Sequence, residues 1–383
     1  MRVMLVCPEP LGHRQPAGIG IRFLEIERVL RADGHEVTML SRDAGAFSPE
    51  TLLRVSGESD VAVVQGHAAN DFFAHARPIP TVIDLYDPFI IENLHYFAER
   101  GAEVYAHDHA TLMNSLAHGD FFLCASEAQR HFYLGALLAM GRVNPIAFES
   151  DPTLRSLIAI APFGVPPSRV SAHDGSGVLF GGIYDWYDPI LAIDAVKLAR
   201  ESVPSMTLTF TTHPNPELTP QGKTAEAMKY AKSLGFVRFE PWVEYAERGA
   251  FYDRFALALL TFPQSIETDL SMRTRVYDYL WGGLPIVTSS APGTDELLTR
   301  YGAGLIVGGP TPRAFADALL DAMRDGERLR GGAHCFVDDH QWPRVLQPLV
   351  DFVRAPRIDA SKEMPQRPTS ILDRIKRRIG GRA

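Results

Sequence analysis

Short, unbroken apolar runs alternate along this chain with longer stretches whose apolar positions recur every three or four residues. The first run, residues 2–7 (RVMLVC), stops at Pro8 and Pro10; a Val- and Leu-rich run of that length predicts a strand buried on both faces. Ile19, Phe23, Ile26 and Leu30 then fall on one helical stripe, Gly34 closes it, and residues 36–40 supply the next strand. The same alternation continues through SDVAVVQGH, PTVIDLYD, DFFLCAS and SLIAIAPFGVP. It resumes in GSGVLFGG ahead of PILAIDAVKLAR, then in MTLTFTT, VRFEPWVEY, FALALLTFP, PIVTSS and GAGLIVGG, the last followed by a helical FADALLDAM. A β-α-β-α order sustained this long predicts the α/β class with doubly wound parallel sheets.

Length and composition divide this pattern in two. A chain of 383 residues with 46% hydrophobic content suits two globular domains. The composition turns polar after PFGVPP, in SRVSAHDGSG, so the first domain is expected at 1–167 and the second at 168–340. An amphipathic segment, QWPRVLQPLVDFVR, is expected to form a helix within 341–356 that returns to the first domain, and 357–383 to be a loose basic tail. A net charge of −8 argues against a nucleic-acid partner. Cys7, Cys124 and Cys335 have no metal-ligand spacing and read as buried thiols of a reducing compartment. The start has too short an apolar core for a signal peptide, and no run reaches the roughly 18 apolar residues of a membrane span, so a soluble, cytoplasmic protein is expected.

Candidate chemistry gathers where the apolar runs end, because open α/β sheets bind ligands beyond the carboxyl ends of their strands. That rim holds His67, Asp84, Asp87, Ser126 and Glu127. Asp87 directly before Pro88 equally suits a helix cap. Gly18 and Gly20 open the first helix and allow close approach to its N-terminus, although Phe23 occupies the third glycine position of a dinucleotide fingerprint. The most informative stretch is 263–290, PQSIETDLSMRTRVYDYLWGGLPIVTSS. Its acidic, hydroxyl-rich loop leads into a helix start where Arg273 and Arg275 offer two guanidinium groups, and Asp278 follows one turn on. Phosphate donors followed by a carboxylate that accepts from hydroxyls suggest a nucleotide-sugar pocket; a solvated helix face with i,i+3 pairing gives the same spacing.

Stretch 263–290 resembles the signature region of GT-B glycosyltransferases of retaining family 4, in which spaced acidic residues precede a helix, a small-residue turn and a Pro-Val/Ile strand. The resemblance implies two facing Rossmann-like domains with an interdomain cleft, and transfer of a sugar from a nucleotide-diphosphate donor to a hydroxyl acceptor. It further implies retention of anomeric configuration, no metal or other cofactor, and a leaving diphosphate that helps deprotonate the acceptor. Carried over by position, Asp278 holds the ribose, Glu267 or Asp269 the donor sugar, with Ser271 beside them, because Leu270 stands where the first acidic residue falls. Gly181 and Gly182 admit the diphosphate, and the turn at Val243 receives the base. The Arg and Lys usual after that glycine turn are replaced by IYDWYD, so the diphosphate charge falls to Arg273 and Arg275. Gly18, Gly20 and Arg22 border the acceptor cleft beside the phosphates, Asp84 and Asp87 lead an acceptor-side segment, and His67 lies near the transferred ring.

The final residues, 370–383, carry five basic side chains against one acidic, with Ile371, Leu372, Ile375 and Ile379 on one helical face. Such a tail suits the anionic inner face of a membrane, and equally plain solvation. The reading from sequence is therefore a metal-independent hexosyltransferase of surface-polysaccharide or glycoconjugate synthesis. A GT-B epimerase and a non-catalytic sugar-binding scaffold subunit are its competitors.

Overall fold

A computed structural model describes residues 1–12, 16–43, 47–167, 177–213 and 221–363. The alternating runs form two six-stranded, wholly parallel sheets. The first contains β1 (Arg2–Val6), β2 (Glu36–Leu40), β3 (Val61–Gln65), β4 (Thr81–Asp84), β5 (Phe121–Cys124) and β6 (Ile158–Ile160), in the order β2-β1-β3-β4-β5-β6. The second contains β7 (Gly177–Gly182), β8 (Thr207–Thr211), β9 (Val237–Glu240), β10 (Phe255–Leu260), β11 (Ile286–Ser289) and β12 (Gly304–Val307), in the order β12-β11-β10-β7-β8-β9. Each order reverses once, between β1 and β3 and between β10 and β7, and the crevice outside a reversal is where such sheets bind ligands. The predicted first helix is Gly18–Ala32, and the helix of the signature stretch is Thr274–Trp281.

Burial explains why the strands were legible. All residues of β3, β4 and β5 are buried, so helices cover both faces and no polar alternation interrupts the runs. One apolar cluster backs the outer face of the first sheet. The other runs from its inner face through Phe163 and Val165 into the second lobe without a break. Trp342, wholly buried, joins the two halves: its ring meets Phe163 edge-on at 4.7 Å, and its backbone N–H donates to the Val165 carbonyl. A Cβ on Gly164 would lie 2.4 Å from that indole, so only glycine fits there.

The expected C-terminal helix is two short ones, Trp342–Val345 and Gln347–Arg354, because Pro343 and Pro348 each start a new first turn. The second lies on the first lobe: Phe352 stacks on Phe121 at 4.8 Å, and Arg354 pairs with Asp33. Residues 357–363, expected to be loose, are instead pinned there. Asp359 pairs with Arg142, and Lys362 Nζ reaches Asp120 at 2.6 Å. The basic tail beyond 363 and the polar linker 168–176 lie outside the described residues. Cys335 is exposed, correcting the expectation of three buried thiols; Cys7 and Cys124 are buried as expected. Among the described residues, no helix is long and apolar enough to cross a membrane.

Candidate functional site

The carboxyl ends of the two sheets face a cavity of about 360 Å³ lined by both lobes. Gly18, Asp87, Gly181, Gly182, Val243, Ser271, Arg273, Arg275 and Asp278 line it, so most of the residues singled out from sequence meet in one place. Among the described residues, the second lobe contributes three arginines to its wall, Arg248, Arg273 and Arg275. The first lobe contributes, among the described residues, only carboxyl groups as charged side chains: Glu9, Asp87 and Glu92.

The three arginines are not equivalent. Arg275 lies against the glycine turn that ends β7, donating from Nη1 to the Gly182 carbonyl at 2.7 Å and the Phe180 carbonyl at 3.2 Å. Its guanidinium stacks 4.3 Å over the Tyr187 ring. Gly181 makes this possible: its φ of +83° suits only glycine, and a Cβ there would meet the Tyr279 hydroxyl at 2.4 Å. Arg275 thus brings positive charge onto the Gly-Gly turn, where the sequence lacks the usual Arg and Lys, and its partners are neutral carbonyls.

Arg273 is committed elsewhere, which corrects its reading as a free phosphate ligand. It forks onto Glu267, Nη1–Oε1 2.8 Å and Nη2–Oε2 2.9 Å, with both side chains buried. This fork also distinguishes the two acidic candidates of the loop: Glu267 is sealed behind the cavity by Arg273, and Asp269 is exposed on the far side of its helix. Neither lines the cavity. Asp278 does line it, and it is paired with Arg248 at 2.5 Å while accepting from the Tyr252 hydroxyl. Burial pushes its carboxyl above the usual range, and Arg248 partly offsets that cost.

Arg22 and Asp84 are also displaced from their expected role. They form an internal ion pair, Nε–Oδ2 2.6 Å, with no exposed side-chain surface. Arg22 further donates to the Ala161 and Pro162 carbonyls, tying the first helix to the end of β6. Neither touches the cavity. At the helix start, Glu9 Oε2 accepts from the Gly20 and Ala17 amides at 3.0 and 3.3 Å. The N-terminus expected to meet phosphate is therefore already occupied by a carboxylate, and Gly20 is packed behind it. Gly18 remains at the wall, facing Thr274 of the other lobe. His67 follows β3 as predicted but stands outside the cavity lining. Its Nε2 bonds to buried Asp108 at 2.7 Å, and its ring stacks on His107.

Sequence reading did not single out Glu9, Glu92 or Arg248, although Glu92 lies within the acceptor-side segment that Asp84 and Asp87 lead. It treated 184–187 only as a departure. Tyr184 and Trp186 stack at 4.8 Å and 9°, and His213 meets Tyr184 edge-on, so the loop is an aromatic wall of the cavity. Trp242, packed under Arg248, and Val243 extend it.

No protein-family model matches the sequence, and no curated protein does. Solved structures do. HepE of Anabaena in complex with UDP-glucose superposes with a TM-score of 0.66 over 93% of this chain and 100% of that one, at 13% identity. The fold is GT-B. A sucrose-phosphate synthase from Thermosynechococcus elongatus gives 0.64 over 92% and 98%, at 12% identity. A pneumococcal O-GlcNAc transferase, GtfA, in complex with UDP and GlcNAc gives 0.54 over 77% of this chain and 56% of that one, at 12% identity. At these identities the likeness establishes two facing Rossmann-like lobes, as the sequence predicted.

Proposed function

We propose that the protein transfers a hexosyl group from a nucleoside-diphosphate sugar to a hydroxyl acceptor bound in the interlobe cavity. The observation that carries this reading is Arg275 on the Gly181–Gly182 turn, beside the start of helix Thr274–Trp281. A cation held by neutral carbonyls at that point meets a leaving diphosphate without first breaking an ion pair, and stabilises charge as it builds in the transition state. Val243 and Trp242 border the place for the base. Asp278 keeps lone pairs for the ribose hydroxyls beyond those given to Arg248 and Tyr252. Ser271 faces the donor sugar. Glu267 acts through Arg273, whose orientation it fixes. Retention, independence of metal and a place in polysaccharide or glycoconjugate synthesis come with the family resemblance; attachment of residues 370–383 to an anionic membrane is proposed from their basic, amphipathic sequence.

The first test is nucleotide release from a panel of sugar nucleotides with and without hydroxyl acceptors. Release that depends on an acceptor is expected. Release from the donor alone with formation of an isomer would support epimerisation instead. A second reading, a binding-only scaffold, is favoured by one feature: two of the three cavity arginines are neutralised by carboxylates. Calorimetric titration with uridine and guanosine diphosphates separates the two, because a scaffold has no need of either.

A further inference from the structure

We propose that Asp87 and Glu92 share one proton and together clamp a hydroxyl of an uncharged acceptor on the first-lobe wall of the cavity. The proposal rests on the transferase reading and adds to it the class of acceptor. Asp87 follows β4 at the sheet's ligand-binding rim, and Glu92 closes the short helix Phe89–Glu92 directly after it. Both line the cavity, and their carboxyl groups are hydrogen-bonded to each other. A carboxyl-to-carboxyl bond requires one proton between the two groups. Neither forms an ion pair among the described residues. From the opposite lobe, the Ser271 hydroxyl donates to Glu92 Oε1 at 3.0 Å, which fixes the pair against the donor side.

The surroundings favour keeping that proton. Asp84 on β4 and Glu267 on helix Ile266–Leu270 repel further negative charge at Asp87, whereas His67 after β3 attracts it. Arg273 lies near Glu92, but its guanidinium is spent on Glu267. Glu9 adds a further like charge facing Asp87, and Tyr133, Tyr96 and Tyr184 are neutral neighbours. Burial raises both carboxyls, Glu92 well above its ordinary range.

A half-protonated pair presents one O–H donor and several lone pairs at a single spot, so it accepts from and donates to a neutral hydroxyl. An acceptor carrying carboxylate or phosphate here would face Glu9, Asp87 and Glu92, with no basic side chain of the same lobe in the cavity lining among the described residues. The inferred acceptor is therefore an uncharged polyol or sugar at this wall. Loss of the shared proton would place two anions in contact and weaken its binding.

Two measurements test this. The KM for a neutral methyl glycoside is expected to rise at least fivefold between pH 6 and pH 9 in the wild type and to stay flat in Glu92→Gln, which mimics the protonated partner. The corresponding uronate is expected to be the poorer acceptor. Parallel pH curves for wild type and variant, or preference for the uronate, would overturn the clamp. Thermal unfolding of wild type and Glu92→Gln across the same range needs no turnover. Because the folded pair binds its proton more tightly than the unfolded chain, wild-type stability should fall relative to the variant as pH rises through the raised value. A constant difference would refute the shared proton, whatever the fate of the transferase reading. Absence of nucleotide binding would strike that reading alone.

Discussion

At the scale of single residues, charge pairing separates roles that spacing makes look alike. Arg273 and Arg275 flank Thr274, yet one is neutralised inside the protein and the other is held at the cavity by backbone oxygens. Arg273→Ala would leave buried Glu267 without a partner, which costs about 3–5 kcal/mol, so denaturant unfolding should shift strongly. Arg275→Ala removes a half-buried side chain from two neutral carbonyls, one of which, that of Phe180, keeps the Tyr279 hydroxyl as a donor, and its stability cost should stay at about 1 kcal/mol. Equal destabilisation by the two substitutions would contradict the assignment. The sequence supplied both arginines and Asp278 as candidates but not these partners. Arg248 lies 30 positions before Asp278, and Ser271 lies 179 positions after Glu92. No local period encodes a contact of that range, so neither Glu92 nor Arg248 stands out from the residues around it in the sequence.

At the scale of elements, the strands were readable because parallel strands covered on both faces give unbroken apolar runs. The sheet ends were readable for a related reason: turns there need glycine or proline. What failed was the assumption that a glycine-opened helix start is vacant. Glu9 caps the helix Gly18–Ala32 from outside it, and nothing in PEPLGH announces that use of a carboxylate. The continuous helix expected in 341–354 failed at Pro343 and Pro348, where a missing amide restarts the turn. The turn after β7 allows a sharp prediction. Gly181→Ala forces φ = +83° on a residue with a Cβ, at roughly 1–2 kcal/mol, and drives that carbon into the Tyr279 hydroxyl. Unfolding should show a loss of at least that size together with weaker nucleotide binding, since Arg275 rests on the same turn. An unchanged midpoint would mean that the turn adopts another conformation.

At the scale of the whole molecule, the two lobes are bound by an apolar seam through Phe163 and Trp342 and by buried polar contacts between them. Among these, the Tyr86 hydroxyl donates to the Met272 carbonyl and Gln129 to the Leu270 carbonyl. The cavity therefore has one acidic wall and one basic wall, a polarity that suits a neutral acceptor opposite a phosphorylated donor. The basic tail, residues 370–383, is tested separately. Its deletion should lower sedimentation with liposomes rich in anionic lipid, and the effect should shrink as salt rises; equal sedimentation of full-length and truncated protein would remove the membrane from the account. The central claim, that Arg275 meets a diphosphate between the lobes, has a more direct test in calorimetric titration of wild type and Arg275→Ala with uridine and guanosine diphosphates. The wild type should bind at least one of them, and the variant should bind it about 10- to 100-fold more weakly, the loss of a charged hydrogen-bonding contact worth roughly 1.4–2.8 kcal/mol. Equal affinity in the two proteins, or binding of neither nucleotide by the wild type, would contradict the account.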